Sequence, residues 1–319
     1  NTVNPAILEG WGVRPSDNQY SLAIQHEIVP RISAEFSYHW RTFSGFTVTD
    51  NRALGPEDYD PFTITAPSDP RLPGGGGYPV TTVAVNKIVA SDNYVTFASD
   101  YGEQSQYWHG FDVNVNARLR NGLLLQGGSS TGPGVRDNCD ITALLPETLF
   151  VVGPGGGWQQ IDSCHVTEPF QTQFRGLVNY VVPRVDVQLS ATFQFKPGTG
   201  GIGGNVSASN GASLDANWFA PASVIVPALG RPLVAGGTGQ TNNLTVPGQL
   251  YGNRINQVDL RVAKILRLGG TRTMVGFDLY NLLNSNPTLT WDENYGVNYL
   301  RPTAILMPRF VRFNATVDF

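Results

Sequence analysis

The end of the chain alternates. Val311, Phe313, Ala315, Val317 and Phe319 are apolar or small, and the intervening Arg312, Asn314, Thr316 and Asp318 are polar. A period of two predicts a strand with one oily and one wet face. Residues 20–28 repeat the pattern, with Tyr20, Leu22, Ile24 and Ile28 on one side. Residues 32–43 set Ile32, Ala34, Phe36, Tyr38 and Trp40 against Ser33, Glu35, Ser37, His39 and Arg41. Further strand pairs are expected at 107–119 with 123–132, 172–182 with 185–196, and 256–267 with 273–281. A closing strand is expected at 308–319. The partners in each pair are separated by tight turns, at Pro30, at Asn121-Gly122, at Pro183 and at Gly269-Gly270. Asn-Gly is the strongest short hairpin signal among them.

These strands run to roughly 10–13 residues, about twice the globular norm and the length a tilted membrane-spanning strand needs. Sidedness follows from energy. A charge facing hydrocarbon at mid-bilayer costs about 2–4 kcal/mol, so Glu35 and Arg41 are expected to face inward and Phe36, Tyr38 and Trp40 outward. The same reasoning assigns Asp112, Arg118, Asp186, Lys196, Asp259, Arg261 and Asp278 to the inner face. His26 and Lys264 fall on the outer face near turns, where a side chain can reach the headgroups. Tyr20, Trp40 and Phe319 sit near strand ends, as interface aromatics do. Long segments at 44–106, 133–171, 197–255 and 282–307 separate the pairs. Short turns at one end and long loops at the other are the asymmetry of an outer-membrane barrel. The expected fold is all-β: a transmembrane antiparallel β-barrel segment of about nine long strands, with short periplasmic turns and long extracellular loops.

Nine is odd, whereas bacterial single-chain barrels have even strand numbers. The expectation is therefore the C-terminal part of a larger barrel, beginning in or near an extracellular loop. The terminal aromatic at Phe319 suits a closing strand, and Asn1 is expected to be a processed or cut start.

Composition sharpens this. Charged residues are 14% of the chain and glycines number 36, which fits a polar, weakly charged lumen and long loops. A net charge of −4 gives no reason to expect a nucleic-acid partner. Cys139 and Cys164, the only cysteines, share one Gly-rich segment. A disulfide between them fits an oxidising compartment, with two free thiols as the alternative.

Little else carries chemistry. The histidines are scattered, so no metal site is expected. Asp50, Glu57, Asp58 and Asp60 form an acidic run in the first long loop, read as a solvated face, with a Ca²⁺ site from loop carboxylates as the lesser alternative. The Gly74–Gly77 run lacks the Lys-Ser/Thr of a phosphate-binding loop. No catalytic residue and no cofactor are expected. Trp108, Trp158, Trp218 and Trp291 lie in or beside loops and either stack on a sugar or peptide ligand or pack the loops together.

The stretches APSDPRLPGGGGY (66–78), GFDVNVNARLRNGLLLQGG (110–128), GFDLYNLLNSNP (276–287) and RPTAILMPRFVRFNATVDF (301–319) resemble the C-terminal half of a TonB-dependent outer-membrane receptor. The resemblance is to the Oar-like subgroup, which carries a carboxypeptidase-regulatory-like domain ahead of the plug, and it spans nearly the whole of 1–319. It implies a bulky ligand bound by extracellular loops, a plug inside the barrel, and energy delivered through TonB. No plug or TonB-contacting segment is expected within this sequence, so the chain alone would be inactive in transport. Phe313, Ala315, Val317 and Phe319 correspond to a C-terminal signal for the barrel-assembly machinery. The implied partners are the remaining strands and plug, outer-membrane lipid and that machinery. Two alternatives stand beside this reading: a passive porin, and a fragment whose open edges assemble it into an extracellular tube or filament.

Overall fold

The computed structural model describes residues 2–151, 156–198, 213–268 and 270–318. Among these residues nine long strands form one antiparallel meander, each paired with the next in sequence: β1 (Ser16–Val29), β2 (Ile32–Ser44), β3 (Ser105–Arg118), β4 (Leu124–Thr131), β5 (Gln173–Val182), β6 (Val187–Lys196), β7 (Ile255–Leu268), β8 (Thr271–Tyr280) and β9 (Phe310–Asp318). Each expected strand is present to within a few residues at either end. Two short strands, Gly134–Asp137 and His165–Thr167, extend the sheet beyond β3 at its long-loop end. Among the described residues no sheet closes, and β1 and β9 run in the same direction as the two outer edges of the meander.

Register keeps the faces separate. Phe36 lies opposite Val113 and Tyr38 opposite Phe111, and Phe277 lies opposite Phe313. The rings pack along this face, Tyr20 on Trp40, Phe36 and Tyr38 on Phe111, and Phe277 on Phe313. Where a glycine leaves a gap, a neighbour covers it: a Cβ on Gly176 would lie 2.5 Å from the Phe193 ring. This use of an aromatic over a strand glycine pins register. Among the described residues nothing packs over the outermost side chains of the apolar face. Leu22 is 71% exposed and Phe313 78%.

The buried apolar core is elsewhere. The long connections fold together into a cap. A hairpin of Tyr59–Thr65 and Pro79–Val85 packs beside the Ala222–Leu229 helix, and Asn217–Pro221 pairs with Gly239–Asn243. Phe62, Ile64, Leu72, Val80, Ile225, Leu244 and Tyr299 form the main core there. A second strand set joins Thr47–Asn51 to Asn93–Phe97, with Thr2–Val3 added in parallel. Cys139 and Cys164 form a disulfide, closing the second long connection. The sequence pattern leaves these connections as long loops. The structure gives them a core of their own. Among the described residues no helix is long and apolar enough to cross a membrane.

Candidate functional site

The wet face of the sheet is a wall of amides and a few charges. Glu35 comes from β2, Asn114 and Asn116 from β3, Gln126 from β4, Arg175 from β5, Gln194 from β6, and Gln257 and Asp259 from β7. They border a hollow of about 660 Å³. Strand alternation puts these side chains on one face, and Gly128 opens room between Asn114 and Arg175. A Cβ at Gly128 would lie 2.2 Å from Asn114 Oδ1. Asn114 donates to Glu35 at 3.4 Å, and Gln194 to Gln257 at 3.0 Å. Gln257 in turn donates to Asp259. An amide both donates and accepts, so this wall can pair with peptide groups or hydroxyls without regard to charge.

A second hollow of about 420 Å³ lies beside it and includes Asn179, Ser190, Arg261, Asp278 and Arg312. Asp278 is buried at its centre. Arg312 Nη2 reaches its carboxylate at 2.9 Å, Arg261 Nε lies 3.2 Å away, and Asn314 donates at 2.8 Å. Two guanidiniums and an amide thus offset the cost of burying one carboxylate. The cluster ties β7, β8 and β9 together. Just above it, Asn281 adopts a left-handed backbone, with φ of 51°. Its amide donates to the carbonyls of Ser285 and Met307. Asp259 accepts from the Asn281 N–H.

Of the residues expected on the inner face, Glu35 and Asp259 meet in the first hollow, and Asp259, Arg261 and Asp278 in the second. Arg118 lines a third depression near the short turns, with Glu27 and Arg31. Arg41 pairs with Asp17 at 2.6 Å, and Asp112 lies 3.4 Å from His39. Lys196 ends β6 at the long-loop end. Asp186 departs from expectation. It lies in the turn before β6, with φ of 50°, and pairs with Arg267 at 3.2 Å. Pro183 begins that turn, and the left-handed backbone at Arg184 and Asp186 delays the strand until Val187. Phe313, Ala315 and Val317 take the apolar face of β9, and Phe319 lies outside the described residues.

The four loop tryptophans do not converge, and none lines either main hollow. Trp108 folds over Gly110 and Gly132. Trp158 packs on Tyr59 and Phe150, and Trp218 on Tyr295. Trp291 ends a short strand paired with Pro302–Ile305. The acidic run also disperses: Asp58 pairs with Lys87, Asp60 with Arg231, and Asp50 accepts from Tyr101. Among the described residues no cluster of three or more metal-binding side chains forms.

One buried polar hub lies in the cap. Asn243 accepts from the Ala216 and Thr245 backbones and donates to Gln159 and Asp215. The Asp215 backbone donates to Glu293 Oε1 at 3.0 Å. Burial, then the charge of Glu293, push the Asp215 carboxyl up to about 6. Elsewhere in the cap, Arg71 holds Asp69 below the usual carboxylate range.

Alternation alone places Asn114, Gln126, Arg175, Gln194, Gln257, Arg312 and Asn314 on the wet face. Sequence reasoning weighted charges and missed the amides, which make up most of the wall. No protein-family model, curated protein or solved structure matches the chain.

Proposed function

We propose that this chain is the strand-forming part of an outer-membrane receptor of the TonB-dependent, Oar-like kind, handling a bulky ligand such as a peptide, protein or glycan. The observation that carries the reading is the nine-stranded meander. Its apolar face is bare along its length and its opposite face is polar. Lipid on one side and an enclosed polar interior on the other satisfy both faces, as in a membrane barrel. The amide wall suits a polypeptide plug lying against it, and the folded cap suits ligand capture outside the membrane. The reading gives the chain no catalytic role and no cofactor.

The outer strands favour a larger assembly. Because β1 and β9 run the same way, an odd number of additional strands would close the sheet with antiparallel pairing throughout. Those two open edges also support a second reading, in which copies of the chain join edge to edge into a tube or filament.

Intact mass and imaging of the protein from its native envelope separate the two. The receptor reading expects a species well above 34.6 kDa in the outer-membrane fraction, seen as single barrels in detergent. Repeating polymers built from a species of 34.6 kDa would favour the filament and remove the receptor.

A further inference from the structure

The charges are not spread evenly between the two ends of the sheet. Around the four short turns and the end of β9 lie Arg31, Arg118, Arg120, Arg184, Lys264, Arg267 and Arg272, against only Glu27, Asp186 and Asp318. The rest of the chain reverses the balance, with fourteen basic residues against twenty-two acidic. A protein of net charge −4 therefore carries a basic rim at one end.

The rim is not consumed by internal pairing. Asp186 is held by Arg267 and Asp318 by Arg272. Glu27 accepts from the Arg31 backbone N–H. Arg31, Arg118, Arg120 and Arg184 form no ion pair among the described residues, and all four are exposed. Arg31 and Arg184 sit at turn tips with φ of 74° and 67°. Lys264 lies on the apolar face and bends toward the turn, where its ammonium donates to the Val185 carbonyl.

Bare apolar side chains lie directly beside these charges. Ile28, Val29, Val185 and Leu266 are all exposed at the same end. Cationic groups bordering an oily band match a lipid whose phosphate is anionic and whose tails are apolar. Long cationic side chains keep their heads at such a boundary while their stems lie along the hydrocarbon. A soluble polyanion would use the charge and leave the oily band uncovered.

We propose that the short-turn rim binds anionic phospholipid headgroups on the membrane face at that end, and so fixes the depth and orientation of the sheet. This rests on the reading of the sheet as membrane-spanning.

The test is co-flotation of the full chain, diluted from neutral detergent, with vesicles of phosphatidylcholine or of phosphatidylcholine containing about 30 mol% phosphatidylglycerol. Basic residues near an anionic surface are attracted to it, so phosphatidylglycerol should raise vesicle affinity at least about ten-fold. That gain should fade at about 0.5 M salt. The combined variant R31N, R120Q, R184N and K264Q should lose the gain and keep its affinity for phosphatidylcholine. The charge-retaining set R31K, R120K and R184K should keep the gain. Equal affinity of the native chain for both vesicles overturns the rim proposal and leaves the membrane reading standing. A gain that survives in the neutralised variant also overturns it. Failure to associate with either vesicle removes the membrane reading, and the rim proposal with it.

Discussion

The cap and the sheet are built from the same residue types and treat them in opposite ways. In the cap, Val80, Ile225 and Leu244 are sealed from solvent and even the polar Asn242, Asn243 and Thr245 are fully buried. In the sheet, Leu22, Ile24, Phe36, Val113 and Phe313 stand bare. Exposing one such side chain to water forgoes roughly 1.5–3 kcal/mol, and the sheet repeats this on strand after strand. One chain thus contains a core made for water and a face made for something else. Polarity is inverted as well: the sheet gathers its amides and charges on its other side. The pairing of a dry cap core with a bare apolar sheet is what two different solvents would select.

Truncating the cap core should produce the largest change. Leu244→Ala should destabilise the cap by about 2–5 kcal/mol, read as faster proteolysis of the long connections. Its association with lipid vesicles should be unchanged. Comparable loss of both would show that the two regions are not independent.

Charge insertion probes the opposite region. Val113→Arg places a guanidinium on the bare face and should weaken membrane association by about 2–4 kcal/mol. Asn114→Arg, one residue on, should have a much smaller effect, because it joins the wet face. Equal effects at both positions, measured by vesicle flotation, would contradict the two-faced account.

Removing the disulfide with C139A and C164A deletes a cross-link across a separation of 25 residues. The expected loss is about 3–4 kcal/mol on chain-entropy grounds, confined to the second long connection in hydrogen exchange. Protection in β3 to β6 should persist.

The smallest effect concerns pH. Asp215 is raised by burial and by Glu293 to about 6, so the folded cap holds its proton more tightly than the unfolded chain does. The resulting stability is full below the ordinary carboxylate value and is lost as pH rises through about 6. Asp215→Asn keeps an oxygen to accept from Asn243 and carries no charge. It should stabilise the cap by up to about 3 kcal/mol above neutral pH, and the gain should vanish below about pH 4. A gain independent of pH would mean that the charge at Asp215 is not what weakens the cap.

The two regions also differ in how far the sequence reveals them. Most of the long strands alternate within their own residues; β4, which reads LLQGGSST, does not, and is found as the partner of β3 across the Asn121-Gly122 turn. Their order follows because every neighbour in sequence is a neighbour in space. The cap has no such local signature. Thr47–Asn51 finds its partner only at Asn93–Phe97, and its core joins Phe62 and Val80 to Ile225, Leu244 and Tyr299 from distant connections. The inner wall is intermediate. Alternation puts Arg312 and Asp278 on the same face, but their ion pair depends on the β8–β9 register. Asp186 falls in a turn rather than in β6 because the turn after Pro183 runs longer than the proline alone indicates.

The central claim is that one sheet face meets lipid and the other meets water. Spin labels attached singly through Val113→Cys, Asn114→Cys, Val115→Cys and Asn116→Cys, with the native disulfide intact, test it in lipid bilayers. Collision rates with oxygen, which partitions into acyl chains, should be high at positions 113 and 115 and low at 114 and 116. A water-soluble nickel chelate should give the inverse pattern. Uniform access to the nickel reagent along all four positions would contradict the account.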